Sequence, residues 1–134
     1  MRGLLAVLIG GLTAIVTYWG GAIAAFVAIR GIALGSPGGP PTAREVVIHF
    51  ALGFAASFLG ARLAIIIART SPQMHAGAVG LLAGIGAMAA FGKASSEWPP
   101  WFGAAMAASC LGGALAAAVW MIRRRPRGAH DRIA

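Results

Sequence analysis

Four long apolar stretches, separated by short polar or proline-rich breaks, dominate the order of hydrophobic and polar positions along this chain. The first, residues 3–29, holds no charge between Arg2 and Arg30. As a helix rising about 1.5 Å per residue it would be about 40 Å long, enough to cross a bilayer with some tilt. Residues 31–44 follow, where Pro37, Pro40, Pro41 and nearby glycines stop any regular helix. A second run, 45–68, is opened by Thr42 with Glu45 at the spacing of a capping box. The turn through Arg69, Thr70, Ser71 and Pro72 is short, so the second and third helices are expected to be antiparallel neighbours. The third run, 76–92, is at the lower limit for a span, about 17 residues. Residues 93–97 read as a polar turn. The fourth run, 99–122, begins inside Trp98-Pro99-Pro100-Trp101, with the prolines in the first helical turn, where their missing N–H groups would lack intrahelical partners anyway. The pattern predicts an all-α fold, a four-helix bundle.

Composition moves that bundle into lipid. Hydrophobic residues make up 59% of the chain and charged ones 10%, against roughly 25% charged in soluble domains. Four spans leave too little chain for a folded extramembrane part, so residues 1–134 are expected to form a single transmembrane domain. The opening Met-Arg-Gly followed by an apolar run looks like a signal peptide, yet the run outlasts the roughly 7–15 residues of such a segment and is read as a retained span.

A net charge of +8 would suit nucleic acid, but the positions of the charges point elsewhere. Arg123, Arg124, Arg125, Arg127 and Arg132 form a basic tail, 123–134, directly after the last apolar run, where the positive-inside bias places them. No nucleic-acid partner is expected; contact with anionic lipid is compatible with such a tail. Arg2 and Arg69 join these five on one side, against Arg30, Arg44 and Lys93 on the other, which predicts both termini on the cytoplasmic side (N-in/C-in) of a multi-pass protein of the cell inner membrane. Trp98 and Trp101 would then mark the outer interface and Trp120 the inner one.

Small residues recur at four-residue spacing: Ala56, Gly60, Ala64 and Ala68 in the second run, Ala76, Gly80 and Gly84 in the third, Ser109, Gly113 and Ala117 in the fourth. In lipid, helices associate through close van der Waals approach, which small side chains permit. These stripes are read as packing faces within one bundle, with Gly60, Ala64, Gly80, Gly84 and Gly113 as the contact points.

Few side chains offer chemistry. Arg62 lies seven positions before Arg69, roughly 10 Å into the helix, where a charge is costly unless it is paired or reaches polar surroundings. It either snorkels to the cytoplasmic interface or lines a site, with Thr13 and, less closely, Thr17 at its depth. His49 follows Glu45 by four residues and shares its helix face. As a haem or metal ligand it would need partners, and His75 is expected at the opposite end of the bundle. Thr13, Thr17, Tyr18 and Trp19 form a polar and aromatic patch; threonines there usually bond back to their own helix, while Tyr18, Trp19 and His49 could together contact a pigment or quinone. Cys110 is the sole cysteine, which excludes an intrachain disulfide. With Glu45, Glu97 and Asp131 as the acidic residues, paired-carboxylate catalysis lacks material, and no Ser/His/Asp or Cys/His set assembles. The chain is not expected to be an enzyme, and no cofactor or metal is assigned. Small four-span multidrug transporters, similar in size, depend on a glutamate within span one; residues 3–29 contain no acid, which disfavours that activity.

The text LGFAASFLGARLA, the short turn, the small-rich third span and the W-P-P-W-F entry to the fourth resemble a diffuse group of small four-span bacterial membrane proteins, over residues 53–125. The resemblance implies the four-span architecture and brings no activity. Two functions are carried forward. The first is a non-catalytic membrane protein acting through helix packing, as accessory subunit of a larger membrane complex or as a homo-oligomer, with lipid and other membrane subunits or itself as partners. The alternative is a small solute or ion transporter, or a holin-like pore, using Arg62 and the polar stripe of span one.

Overall fold

The computed structural model describes residues 1–30, 41–69, 71–92 and 98–124. Among these the fold is all-helical: α1 (Arg2–Arg30), α2 (Ala43–Ala68), α3 (Pro72–Gly92) and α4 (Phe102–Arg123). Each is long and apolar enough to cross a membrane. The breaker-rich segment 31–40, the polar turn 93–97 and the basic tail from 125 onward lie outside the described residues.

Local chemistry sets the helix ends. At the start of α2 the Thr42 hydroxyl accepts the Glu45 N–H at 3.3 Å, while the Glu45 carboxylate accepts the Thr42 N–H at 2.7 Å and its hydroxyl at 3.0 Å, a complete capping box. Arg69 closes the helix in the left-handed conformation (φ 60°), its N–H donating to the Ile65 carbonyl at 3.0 Å.

Two boundaries differ from the expectation. α3 begins at Pro72, a full turn before residue 76, because proline suits a first helical position and the Ser71 carbonyl accepts from both Met74 N–H and His75 N–H. The third helix is therefore not short. α4 begins later, at Phe102. Trp98 and Pro99 each precede a proline, which disfavours helical backbone, so the two prolines sit in a turn closed by Phe102 N–H to the Pro99 carbonyl at 2.9 Å.

The helices run alternately up and down, but chain neighbours are not the closest packers throughout. α2 lies between α1 and α4, and α3 packs chiefly on α4; α2 meets α3 more sparsely, and the backbones of α1 and α4 stay apart among the described residues. The expected neighbour pair α2–α3 is thus a short diagonal of the bundle, and the tight seams are elsewhere. Glycine explains where they fall. A Cβ on Gly10 would sit 2.5 Å from the Gly60 carbonyl oxygen, and one on Gly60 would strike the Gly10 carbonyl, so α1 and α2 meet backbone to backbone. A Cβ on Gly113 would strike the Phe54 carbonyl, which makes the parallel α2–α4 seam as close. Gly80 faces Ala114 and Leu111 across α3–α4, and Gly84 faces Ala107.

The interior is built from small residues. At the end holding the termini, Ala61, Ala64, Ile65, Ala76, Val79, Ala114, Ala117 and Ala118 pack together. At the distal end, Ala87, Phe102 and Met106 are buried beneath Tyr18, Val46, Phe50, Phe91 and Trp98. Large apolar side chains face outward instead: Leu12 is 63% exposed, Ile23 62% and Ile85 64%.

Candidate functional site

Between the two core clusters lies a cavity of about 150 Å³, walled by all four helices. α1 contributes Ala14, Ile15, Tyr18 and Trp19; α2 contributes Gly53, Ala56 and Ser57. Ala83, Gly86, Ala87, Ala90 and Phe91 of α3 and Met106 and Cys110 of α4 complete it. Its existence follows from the packing. α1 is pinned to α2 at Gly10 and Gly60 and touches α3 near Val79 and Leu82, but among the described residues its backbone stays away from α4, which leaves space in front of Met106 and Cys110.

Most of the lining is apolar; the polar side-chain groups among these residues belong to Ser57, Cys110, Tyr18 and Trp19. Ser57, 1% exposed, and Cys110 bring a hydroxyl and a thiol to the wall from α2 and α4. The Tyr18 hydroxyl is buried and has no hydrogen-bond partner among the described residues. Leaving a buried hydroxyl unpaired costs about 1–3 kcal/mol, so such a group calls for an explanation.

Above the cavity, at the distal end, aromatic rings close the bundle. His49 lies 5.0 Å from Trp98 and about 6 Å from each of Tyr18, Phe91 and Phe102, centroid to centroid. Trp98 packs on Phe102 at 4.2 Å and Phe102 on Phe50 at 5.3 Å. The His49 Nδ1 is 2.8 Å from the Glu45 carbonyl oxygen. Since a carbonyl only accepts, Nδ1 carries the proton and donates. His75 does the same at the other end, donating from Nδ1 to the Ser71 carbonyl at 3.0 Å. The two histidines therefore belong to separate ends of the bundle. Among the described residues no three His, Cys, Asp or Glu side chains group in a way that could hold a metal ion.

Arg62 is exposed. Its guanidinium carbon lies 4.8 Å from the centre of the Trp120 ring, and that of Arg124 lies 4.2 Å from the same ring. Trp120 in turn meets Phe58 edge-on. Arg62 thus points along α4 toward the terminal end, stacked on an aromatic face, and not toward α1. The register of α1 on α2, with Gly60 beside Gly10 and Ala14, keeps Thr13 within about one helical turn of the Arg62 level. The Thr13 hydroxyl donates to its own helix at the Ile9 carbonyl, 2.8 Å away, and Thr17 is half-buried on α1.

Of the residues singled out in the sequence, Tyr18 reaches the cavity, joined by its neighbour Trp19; His49 touches the Tyr18 ring without lining the space; Arg62, Thr13 and Thr17 stay away from it. Gly60, Ala64, Gly80, Gly84 and Gly113 are buried at the helix seams. Sequence reasoning did not single out Ser57, and it gave Ser109 only a place on a packing face. The latter donates from its hydroxyl to the Phe50 carbonyl at 2.9 Å, tying α4 to α2. The place of Ser109 on the small-residue stripe of the fourth run was the available signal. Comparison with known proteins adds nothing to this geometry: no family model, curated protein or solved structure matches the chain.

Proposed function

We propose that this chain is a non-catalytic, multi-pass protein of the cell inner membrane, with both termini cytoplasmic, that acts by packing against other membrane helices. It does so as an accessory subunit of a larger assembly or as a homo-oligomer. The membrane reading is supported by the reversal of sizes, with alanine and glycine inside and leucine, isoleucine and valine outside, since an apolar surface of that extent is not left open to water. The orientation is supported by Arg2, Arg69, Arg123 and Arg124 at the terminal end.

The observation that carries the packing role is the state of α1. It is held by α2 and, more sparsely, by α3, keeps its backbone away from α4 among the described residues, and leaves much of its length exposed, including Gly20, where an added Cβ meets nothing within 4 Å, and Ala24 and Ala28 along the same face. A helix face that admits close approach and has no partner among the described residues suits a helix from another chain. Conduction draws less support, because Arg62, on which it was built, rests outside on Trp120 and the cavity walls carry no charge.

Extraction in a mild detergent followed by native mass measurement and cross-linking tests this. The expected species is a complex with a second membrane subunit or with further copies of the chain, cross-linked through residues placed at 20, 24 or 28. A lone monomer under those conditions refutes it.

A further inference from the structure

The outer side of the α2–α4 seam combines charge and apolar surface in a way that packing between helices does not require. On α2, Phe54, Phe58 and Arg62 follow one another at four-residue spacing, and Gly112, Trp120 and Arg124 share one face at the end of α4. The two faces meet pairwise. A Cβ on Gly112 would rest 3.7 Å from the Phe54 ring, Phe58 meets Trp120 with centroids 6.3 Å apart, and the guanidiniums of Arg62 and Arg124 both lie over Trp120. Because α2 and α4 run parallel, this half-exposed strip is apolar toward the middle of the bundle and doubly cationic at the terminal end.

At 4.8 Å and 4.2 Å from one ring centre, the two guanidinium carbons are at most about 9 Å apart, close enough for one phosphate group to accept from both. The aromatic face attracts each cation but brings no negative charge. Among the described residues the sole acid is Glu45, about 25 Å away along α2. A dissolved anion suits the pair poorly, because Arg62 belongs to the apolar length of α2 and reaches the interface by lying along Trp120. A headgroup anchored at that level, with its chain running down past Phe58 and Phe54, meets the charge and the apolar strip together. Guanidinium forks match phosphate oxygens in particular. We infer that the strip binds one anionic phospholipid, its phosphate between Arg62 and Arg124 and an acyl chain along Phe58, Phe54 and Gly112. This assignment rests on the membrane location proposed for the chain, and not on a protein partner.

Native mass spectrometry of the full chain in mild detergent, titrated with dioleoylphosphatidylglycerol or with dioleoylphosphatidylcholine, which has the same chains and no net charge, tests the inference. Wild type is expected to hold one phosphatidylglycerol per chain more tightly than phosphatidylcholine, and an excess of inorganic phosphate is expected not to displace it. Arg62→Ala and Arg124→Ala are each expected to weaken phosphatidylglycerol binding roughly fivefold, the worth of one basic residue beside an anionic headgroup, and to leave phosphatidylcholine binding unchanged. Arg2→Ala, at an exposed arginine of α1, is expected to change neither. Five results overturn the proposal: equal wild-type affinity for the two lipids; displacement by inorganic phosphate; phosphatidylglycerol affinity unmoved by Arg62→Ala or by Arg124→Ala; an equal loss in Arg2→Ala, the mark of diffuse charge attraction; or a protein partner that is lost in Arg62→Ala while the lipid stays. The same spectra count protein partners, so a monomer that prefers phosphatidylglycerol refutes the packing role and keeps this site, and a complex without that preference does the reverse. A chain that stays dispersed in buffer without detergent refutes both. The wild-type comparison of the two lipids stands even if a variant fails to fold.

Discussion

Gly113→Ala puts the α2–α4 seam to a direct test. The added methyl would strike the Phe54 carbonyl oxygen and lie 2.9 Å from its carbon and 3.0 Å from the Phe54 Cα, where carbon atoms prefer about 3.5–4.0 Å. These are backbone atoms of a helix pinned on its other side by Gly60 against Gly10, so no side chain can swing away. α4 must retreat by roughly 0.5–1 Å, which forfeits about a quarter to a half of each contact along the line. The Ser109 hydrogen bond to Phe50, one turn away, stretches with it. Overpacking of this kind costs about 1–3 kcal/mol, and the better helix propensity of alanine returns about 0.5–1 kcal/mol.

A net loss of about 1–2 kcal/mol is therefore expected for Gly113→Ala. Gly77→Ala serves as reference, because a Cβ there meets nothing within 4 Å; it collects the propensity gain alone and is stabilised by about 0.5–1 kcal/mol. Titration with sodium dodecyl sulfate in mixed micelles, followed by far-ultraviolet circular dichroism and tryptophan emission, gives the two midpoints. If Gly113→Ala unfolds no earlier than Gly77→Ala, the backbone contact between α2 and α4 is not what holds that seam.

Three further outcomes are expected. Ser109→Ala removes the side-chain bond from α4 to the Phe50 carbonyl and lowers stability in the same titration by about 0.6–1.7 kcal/mol. Thr42→Ala breaks the capping box of α2; it costs about 1 kcal/mol and speeds amide exchange in the first turn of that helix, with the α2–α4 seam unaffected. In liposomes, Arg62→Ala and wild type give equal, background-level flux of anions and small solutes, while the tryptophan emission of the variant shifts as Trp120 loses one of its two guanidinium neighbours; flux that depends on Arg62 would revive the conduction reading.

The number of helices and most of their ends were legible in the chain because they depend on local matters: uninterrupted apolar length, prolines and glycines between runs, and a capping box at Thr42 and Glu45. Even the errors at Pro72 and Pro99 were errors of about a turn, where proline reads equally well as a first helical residue or as part of the turn before it. Arrangement was another matter. These helices are apolar all round, so no polar stripe distinguishes an inward face from an outward one, and small residues at four-residue spacing occur on several of them. Which stripe meets which depends on complementary backbone approach across helices distant in sequence, as in Gly10 with Gly60 or Gly113 with Phe54. From that choice follow the placement of α2 beside α4, the turn of Arg62 toward Trp120, and the space left before Met106 and Cys110. The sequence by itself determined four apolar helices and where charge flanks them; the tertiary structure decided which of their faces touch, and with that where space is left between them.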